Sequence, residues 1–208
     1  MSDKKASPRQ ENNPTAHLLK QIQDKDRTST RAWTALLKRC ESRLRILAKF
    51  RLGARGEAVV EVDDLLQEVW IEAARKIDSF EDRGSGSLQR WLAAILNHKA
   101  LHVGRKAKRV PFPESSLAGV TPENQNLFQS LSQTQPGVSQ NLHREDAERQ
   151  VHGALADLSD KQREAILLKV YEGLSGREAA ERLGLSETGF SKRFRTALDI
   201  IGRRLKSS

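Results

Sequence analysis

Apolar residues recur along most of this chain at intervals of three and four, the period of a helix with one buried face. Leu18, Leu19 and Ile22 open the pattern, and Trp33, Leu36, Leu37, Cys40, Leu44, Leu47 and Ala48 carry it on until Gly53 and Gly56 break it. Leu65, Leu66, Val69, Trp70, Ala73, Ala74 and Ile77 define a third helix, with Asp63 or Asp64 expected as its cap. A Gly/Ser-rich loop, Asp82-Arg83-Gly84-Ser85-Gly86-Ser87, interrupts the pattern. Beyond it, Leu88, Trp91, Leu92, Ile95 and Leu96 predict a fourth helix that runs into Lys99, Arg105, Lys106, Lys108 and Arg109. Nothing alternates with the period of a strand.

Two segments lack the helical period. Residues 1–14 are polar and read as a disordered tail. Residues 110–143 hold Pro111, Pro113, Pro122 and Pro136 among many Ser, Gln and Asn, which predicts a flexible linker. The period returns with Ala147, Val151, Ala154, Leu155 and Leu158. Ser159 with Gln162 then forms a capping box, in which side chains satisfy the free amides of a helix start, ahead of Ala165, Ile166, Leu167, Val170 and Tyr171. Ser175 with Glu178 forms another, ahead of Ala179, Ala180 and Leu183. Gly184 suits the left-handed turn that ends such a helix, and Ser186 suits the cap of the next. Two short helices joined by a Gly-containing turn, the second one basic, describe a helix-turn-helix. Its second helix would enter the major groove with its N-terminal residues at the base edges. The expected architecture is therefore all-α: a helical bundle over residues 15–109 and a helix-turn-helix domain over 144–208, joined by the linker.

Composition narrows the partner. The chain has 208 residues, 37% of them hydrophobic, and a net charge of +9. Its pI is near 9.9 and its mean hydropathy −0.63. Such a balance suits small helical domains and a polyanionic partner, because neutralising phosphates releases counterions. One cysteine, Cys40, excludes an intrachain disulfide and a cysteine-based metal site, and its apolar neighbours predict a buried thiol. The N-terminus is no secretory signal, and no stretch approaches the ~20 apolar residues of a membrane span. A cytoplasmic protein with no membrane contact of its own is expected. His98 and His102 stand one turn apart without a further ligand, so no metal or other cofactor is expected. Without a phosphate loop or a nucleophile constellation, the chain reads as a binding protein and not an enzyme.

The charges are not evenly spread. Between Asp82 and Glu114 there is no acid, while Arg83, Arg90, Lys99, Arg105, Lys106, Lys108 and Arg109 fall there. Phe80, at the edge of the Gly/Ser loop, is the aromatic best placed to stack on an unpaired base, whereas Trp91 shares a face with Leu88 and Ile95 and reads as core. The C-terminal helix sets Lys192, Arg193, Arg195, Arg203, Arg204 and Lys206 against one acid, Asp199. Asp64, Gln67, Glu68 and Glu72 form an acidic stripe at helical spacing, a surface that either is simply solvated or docks a positively charged protein.

The order of these pieces resembles the small, two-domain extracytoplasmic-function (ECF) sigma factors of the sigma-70 family. Asp63-Asp64-Leu65-Leu66-Gln67-Glu68-Val69-Trp70 is similar to the family's region 2 helix that grips the β′ clamp of RNA polymerase. The resemblance implies polymerase docking through Asp63, Asp64, Gln67 and Glu68. Ile77-Asp78-Ser79-Phe80, Trp91 to Asn97 and Arg105-Lys106-Ala107-Lys108-Arg109 are similar to the segment that melts the −10 promoter element and captures a flipped base of the single non-template strand. It implies −10 contacts from Phe80, Asn97, Lys99, Arg105, Lys106, Lys108 and Arg109. In this segment Leu88 stands where the family often has an aromatic. Residues 158–164 and the helix-turn-helix are similar to region 4, which reads the double-stranded −35 element and engages the polymerase β flap. There the implied contacts are Arg177, Ser186, Thr188, Ser191, Lys192, Arg193 and Arg195. Thr188-Gly189-Phe190-Ser191-Lys192-Arg193 departs from the family's frequent G-T-V-K-S-R. Gly189 within a helix costs about 1 kcal/mol relative to Ala, and it implies either close backbone approach or specificity moved to Ser191, Lys192 and Arg195. The resemblance also implies an anti-sigma factor as a possible partner. The alternative is a stand-alone helix-turn-helix transcription regulator that needs no polymerase docking; a purely protein-binding adaptor fits the two basic segments poorly.

Overall fold

The computed structural model describes residues 14–24, 29–84, 86–109 and 138–206. The tail expected over 1–14 and most of the linker expected over 110–143 lie outside the described residues. Helix α1 (Pro14–Gln23) buries Leu19 and Ile22, and α2 (Ser29–Glu57) buries Leu36, Leu44, Leu47 and Leu52. Gly53, at φ 59 and ψ 176, kinks α2, and helical backbone resumes as far as Glu57. Helix α3 (Val62–Lys76) packs Leu65, Leu66, Val69 and Ala73 inward. It ends in a 3-10 turn, Ile77–Ser79, held from across the bundle by Gln23, whose Nε2 donates to the carbonyls of Ile77 and Phe80 at 2.9 Å each.

The start of α3 differs from the sequence expectation. Glu61, not Asp63 or Asp64, holds the cap position, and it makes no side-chain capping bond. Asp63 instead reaches across to Arg45 of α2 at 2.6 Å. A long-range ion pair has taken the side chain that local pattern assigned to the helix end, although both acids still favour a helix N-terminus electrostatically.

Helix α4 (Ser87–Ala107) closes the bundle, with Leu92, Leu96 and Ala100 buried against α2 and α3. Asp82 organises the loop before it: one carboxylate oxygen accepts from the Gly84 amide at 3.0 Å and from the Ser87 hydroxyl at 2.5 Å.

The second half contains α5 (Val138–Ala156), α6 (Asp160–Ile166), a π-helical turn at Leu167–Tyr171, α7 (Gly176–Arg182) and α8 (Glu187–Lys206). Helix α5 begins six residues before the domain start read from the sequence, on residues that composition had assigned to the linker. The π turn is defined by the Glu172 amide donating to the Leu167 carbonyl at 2.8 Å. No strand occurs among the described residues, and the all-α class holds.

The two halves do not meet through the linker alone. Leu155, Leu158, Ile166, Leu167 and Tyr171 join the residues of α2 and α4 in one buried apolar cluster. A second, smaller cluster of Ala165, Leu168, Ala179, Ala180 and Phe190 holds the helix-turn-helix together.

Candidate nucleic-acid and protein interfaces

The helix-turn-helix forms as its capping residues require. The Ser175 Oγ accepts from the Glu178 amide at 3.1 Å, and the Glu178 carboxylate accepts from the Ser175 amide at 2.7 Å. Those bonds, Ser175's first and then that of the nearby Arg90, hold the Glu178 carboxyl below its ordinary range. Gly184 adopts φ 64, in the left-handed region where a side chain would be strained, and turns the chain into α8. The Ser186 Oγ then accepts from the Gly189 amide at 3.0 Å. Gly189 therefore sits in the first turn of α8, where its amide is satisfied by the cap and not by the helix ladder.

Phe190, Phe194 and Ala197 form the inner face of α8, the two rings stacked at 5.9 Å. Thr188, Ser191, Lys192 and Arg195 are exposed on the opposite side, and Arg193 is half-buried. Arg177, exposed on α7, pairs with Glu181 at 3.2 Å. Ser186 is exposed, with its hydroxyl engaged as the cap. Six of the seven sequence-predicted −35 residues are thus exposed, and Arg193 is half-buried.

On the bundle, Asp64, Gln67 and Glu68 are exposed along α3. Beside them Trp33, Leu37, Leu66, Trp70, Ile71 and Ala74 line an open groove of about 460 Å³ between α2 and α3. Ile71 remains 47% exposed in it. Arg45, paired with Asp63 at 2.6 Å and Glu41 at 3.2 Å, stands at the rim. Glu72 differs from the rest of the acidic stripe: it is half-buried and bonded to Lys76 at 2.8 Å, which holds its carboxyl below the ordinary range.

The basic end of α4 presents Arg105, Lys106, Lys108 and Arg109 to solvent, while Lys99 pairs with Glu68 at 3.2 Å. Two other residues of this set are placed differently from the sequence reading. Phe80 is buried, its ring 4.9 Å from that of Trp91, so it offers no open face in this conformation. Trp91, read as core, is partly buried. Asn97 is half-buried, and its Nδ2 donates to Glu172 of the second domain at 2.8 Å.

Cys40 is half-buried and burial pushes its thiol up, in keeping with a structural role. The His98 and His102 rings meet edge to face at 4.7 Å. Among the described residues no group of three or more metal-ligating side chains forms, and no helix is long and apolar enough to cross a membrane.

Sequence reasoning missed the polar contacts between domains: Arg51, Gln89, Glu164 and Glu172. Arg51, Gln89 and Glu164 lie on helix faces that read as ordinary surface, Glu172 lies in the bend after the π turn, and no local spacing marks their partners.

A basic helix-turn-helix joined to a basic-ended helical bundle with a separate acidic and apolar face defines a DNA-binding protein that also docks protein. The comparisons carry this further. Residues 36–110 match the family description Sigma-70 region 2, and residues 148–198 match Sigma-70, region 4. The chain is 30% identical over 159 residues to the ECF RNA polymerase sigma factor ShbA of Streptomyces griseus subsp. griseus, covering 72% of this chain and 71% of that protein. It is 27% identical over 183 residues to the ECF RNA polymerase sigma factor SigK of Mycobacterium sp. (strain JLS), covering 87% and 85%. Among solved structures, CnrH in complex with the cytosolic domain of CnrY aligns at 22% identity over 94% of this chain and 99% of that one, with a TM-score of 0.47. The chain belongs to the sigma-70 family, as an RNA polymerase sigma factor of the ECF type. It directs promoter-specific initiation of transcription, in partnership with core RNA polymerase and promoter DNA. The family consists of initiation factors and not of enzymes.

Proposed function

We propose that core RNA polymerase docks, through its β′ clamp, on the groove between α2 and α3, with Asp63, Asp64, Gln67 and Glu68 as the polar contacts. The observation that carries this reading is the groove itself. Apolar side chains that a protein of this size would bury line an open surface, and exposed carboxylates stand beside them. On this reading the basic end of α4, with Asn97 and Lys99, holds the single non-template strand at −10. Helices α7 and α8 read the −35 duplex through Arg177 and the exposed first turns of α8, and the same domain engages the β flap. An anti-sigma factor acting on this chain would have to cover the groove or the DNA-reading faces. The work is done in the cytoplasm, where polymerase and promoter are.

The test is co-purification of the full chain with core polymerase, comparing wild type with Asp64→Arg/Gln67→Ala. Both side chains are exposed, so the double variant keeps its fold and loses stoichiometric binding. Retention of polymerase by the variant would place the docking surface elsewhere. No binding by a folded wild type would favour a stand-alone regulator.

A further inference from the structure

The groove between α2 and α3 has one polar end. On α2, Trp33, Leu37, Glu41 and Arg45 follow one another at intervals of four and line it as a single ridge. On α3, Asp63, Gln67, Trp70 and Ala74 do the same at intervals of four, three and four. The last residue of the first ridge meets the first residue of the second: Arg45 Nη1 lies 2.6 Å from Asp63 Oδ1. Nη2 of the same guanidinium donates to Glu41 at 3.2 Å. Glu148 of α5, which does not line the groove, stands 3.8 Å from Nε. Leu44, Ile46 and Leu47 beside Arg45 are buried, which fixes where its backbone stands.

A guanidinium at this place acts on docking in two opposite ways. It neutralises part of the charge that draws a basic partner. It also holds the Asp63 carboxylate in one rotamer, so that the ordering cost of that side chain is met before the partner arrives. The second effect wins here. The Arg45 side chain is 23% exposed and braced by Glu41 one turn back, whereas that of Asp63 keeps 70% of its surface open to a partner. One guanidinium between two carboxylates does not cancel both charges, and Asp64 and Glu68 stand exposed further along α3.

We infer that Arg45 is a positioning residue for polymerase docking: braced by Glu41, it closes one end of the groove and presents the Asp63 carboxylate to a basic side chain of the clamp. This rests on the reading of the groove as the polymerase site. It also gives an occupant of the apolar floor a fixed register, because the occupant's cationic residue must fall at the Arg45–Asp63 end.

The test is a double-mutant cycle in the full chain, with association and dissociation rates measured on immobilised core polymerase. Arg45→Ala and Asp63→Asn each raise the dissociation rate about 10-fold, and the double variant dissociates no faster than Asp63→Asn alone. Association separates the two single variants. Loss of a cation leaves Arg45→Ala as fast as wild type or faster, while loss of a carboxylate slows Asp63→Asn. Arg45→Lys keeps the charge but cannot serve two carboxylates through a fork, and it falls between wild type and Ala. Glu148→Gln changes neither rate. Should Arg45→Ala fail to fold, Arg45→Lys and Asp63→Asn form the cycle in its place. Effects that multiply to about 100-fold in the double variant would make Arg45 an independent contact or a brace for the fold, and would overturn the proposal. Wild-type dissociation of Arg45→Ala would do the same. If Asp63→Asn itself dissociates like wild type, Asp63 is no polymerase contact, and the docking reading of this end of the groove falls together with the proposal.

Discussion

Arg51 and Glu164, 113 positions apart in the chain, meet through two parallel 2.8 Å hydrogen bonds that match the fork of a guanidinium to both oxygens of a carboxylate. This geometry belongs to arginine alone, since a lysine ammonium offers a point charge and no fork. It joins α2 of the first bundle to α6, the helix that precedes the helix-turn-helix. The pair adds a directed contact to the apolar cluster that joins the two domains, and neither domain needs it for its own core.

Arg51→Ala removes the counter-charge of Glu164 and of the nearly buried Glu172. Breaking such a pair from one side costs about 3 kcal/mol, the low end of the usual range being apt because Glu164 keeps about a third of its exposure. Arg51→Lys, which keeps the charge and loses the fork, falls between wild type and Ala. Urea denaturation followed by tryptophan fluorescence, which reports the bundle alone because Trp33, Trp70 and Trp91 all lie in it, and by circular dichroism checks this. In wild type the two signals coincide, and in Arg51→Ala they separate as the domains unfold independently. Coincident transitions at an unchanged midpoint would show that the pair contributes nothing to docking.

His152 adds a pH dependence of known sign. Burial, then the nearby Lys49 and Arg163, holds its imidazole below the ordinary 6.5. A group whose pKa is depressed on folding contributes stability above its unfolded value and loses it as pH falls through the folded one. Because the ring stacks on Phe50 across the domain boundary, acid below 6.5 weakens the contact between the domains. His152→Phe keeps the stacking and removes the titration. Scattering profiles on the acid side of 6.5 show wild type expanding and the variant unchanged; equal expansion of both would assign the effect to another group.

The contrast between legible and hidden features follows from range. Helices α2, α3 and α4 rest on apolar spacing within one turn, and α6 and α7 on capping boxes three residues long. Ser175, Gly184 and Ser186 therefore do in the structure what their neighbours imply, while at Ser159 the Gln162 side chain accepts from both the Ser159 amide and its hydroxyl. Asp63 looked like a cap for the same local reason, but Arg45, eighteen residues earlier on another helix, takes its carboxylate. Phe80 looked like a loop aromatic, and Trp91 covers it. The groove below Trp70 and Ile71 was half legible: its acidic edge stood out as a stripe, while its apolar floor merged with the core pattern. The Arg51–Glu164 pair was illegible, because a charge on a helix face carries no mark of a partner more than a hundred residues away.

The capping box at Ser175 supports the whole reading motif. Ser175→Ala loses the bond to the Glu178 amide and destabilises the helix-turn-helix by about 1 kcal/mol. Glu178 gives the box an acid limb. Its carboxyl is held below the ordinary 4.5, so its contribution is present above that pH and is lost as pH falls through the lowered value. Thermal melts monitored across that range show a steeper acid loss for wild type than for Glu178→Ala. Parallel melts would mean that the charge is inert and the cap rests on Ser175 alone.

Arg193 and Arg195 separate two ways in which α8 could hold the −35 duplex. Arg195 is exposed, Arg193 half-buried, and neither belongs to the inner face formed by Phe190, Phe194 and Ala197. Substituting either with Ala leaves stability within about 0.5 kcal/mol, as for other residues outside a core. If polymerase docks on the proposed groove between α2 and α3, which neither arginine lines, its binding survives both substitutions. If an arginine contacts phosphate, its loss weakens binding to every duplex alike and lowers the slope of log K against log salt by about 0.9. If it reads a base edge, the loss falls by about 1–3 kcal/mol on the cognate sequence and far less on others. Duplex binding by holoenzymes made with each variant, measured at several salt concentrations on cognate and scrambled −35 sequences, decides between the two for each residue. Unchanged binding and unchanged transcription from the cognate promoter with both arginines removed would take the −35 contact away from this face of α8.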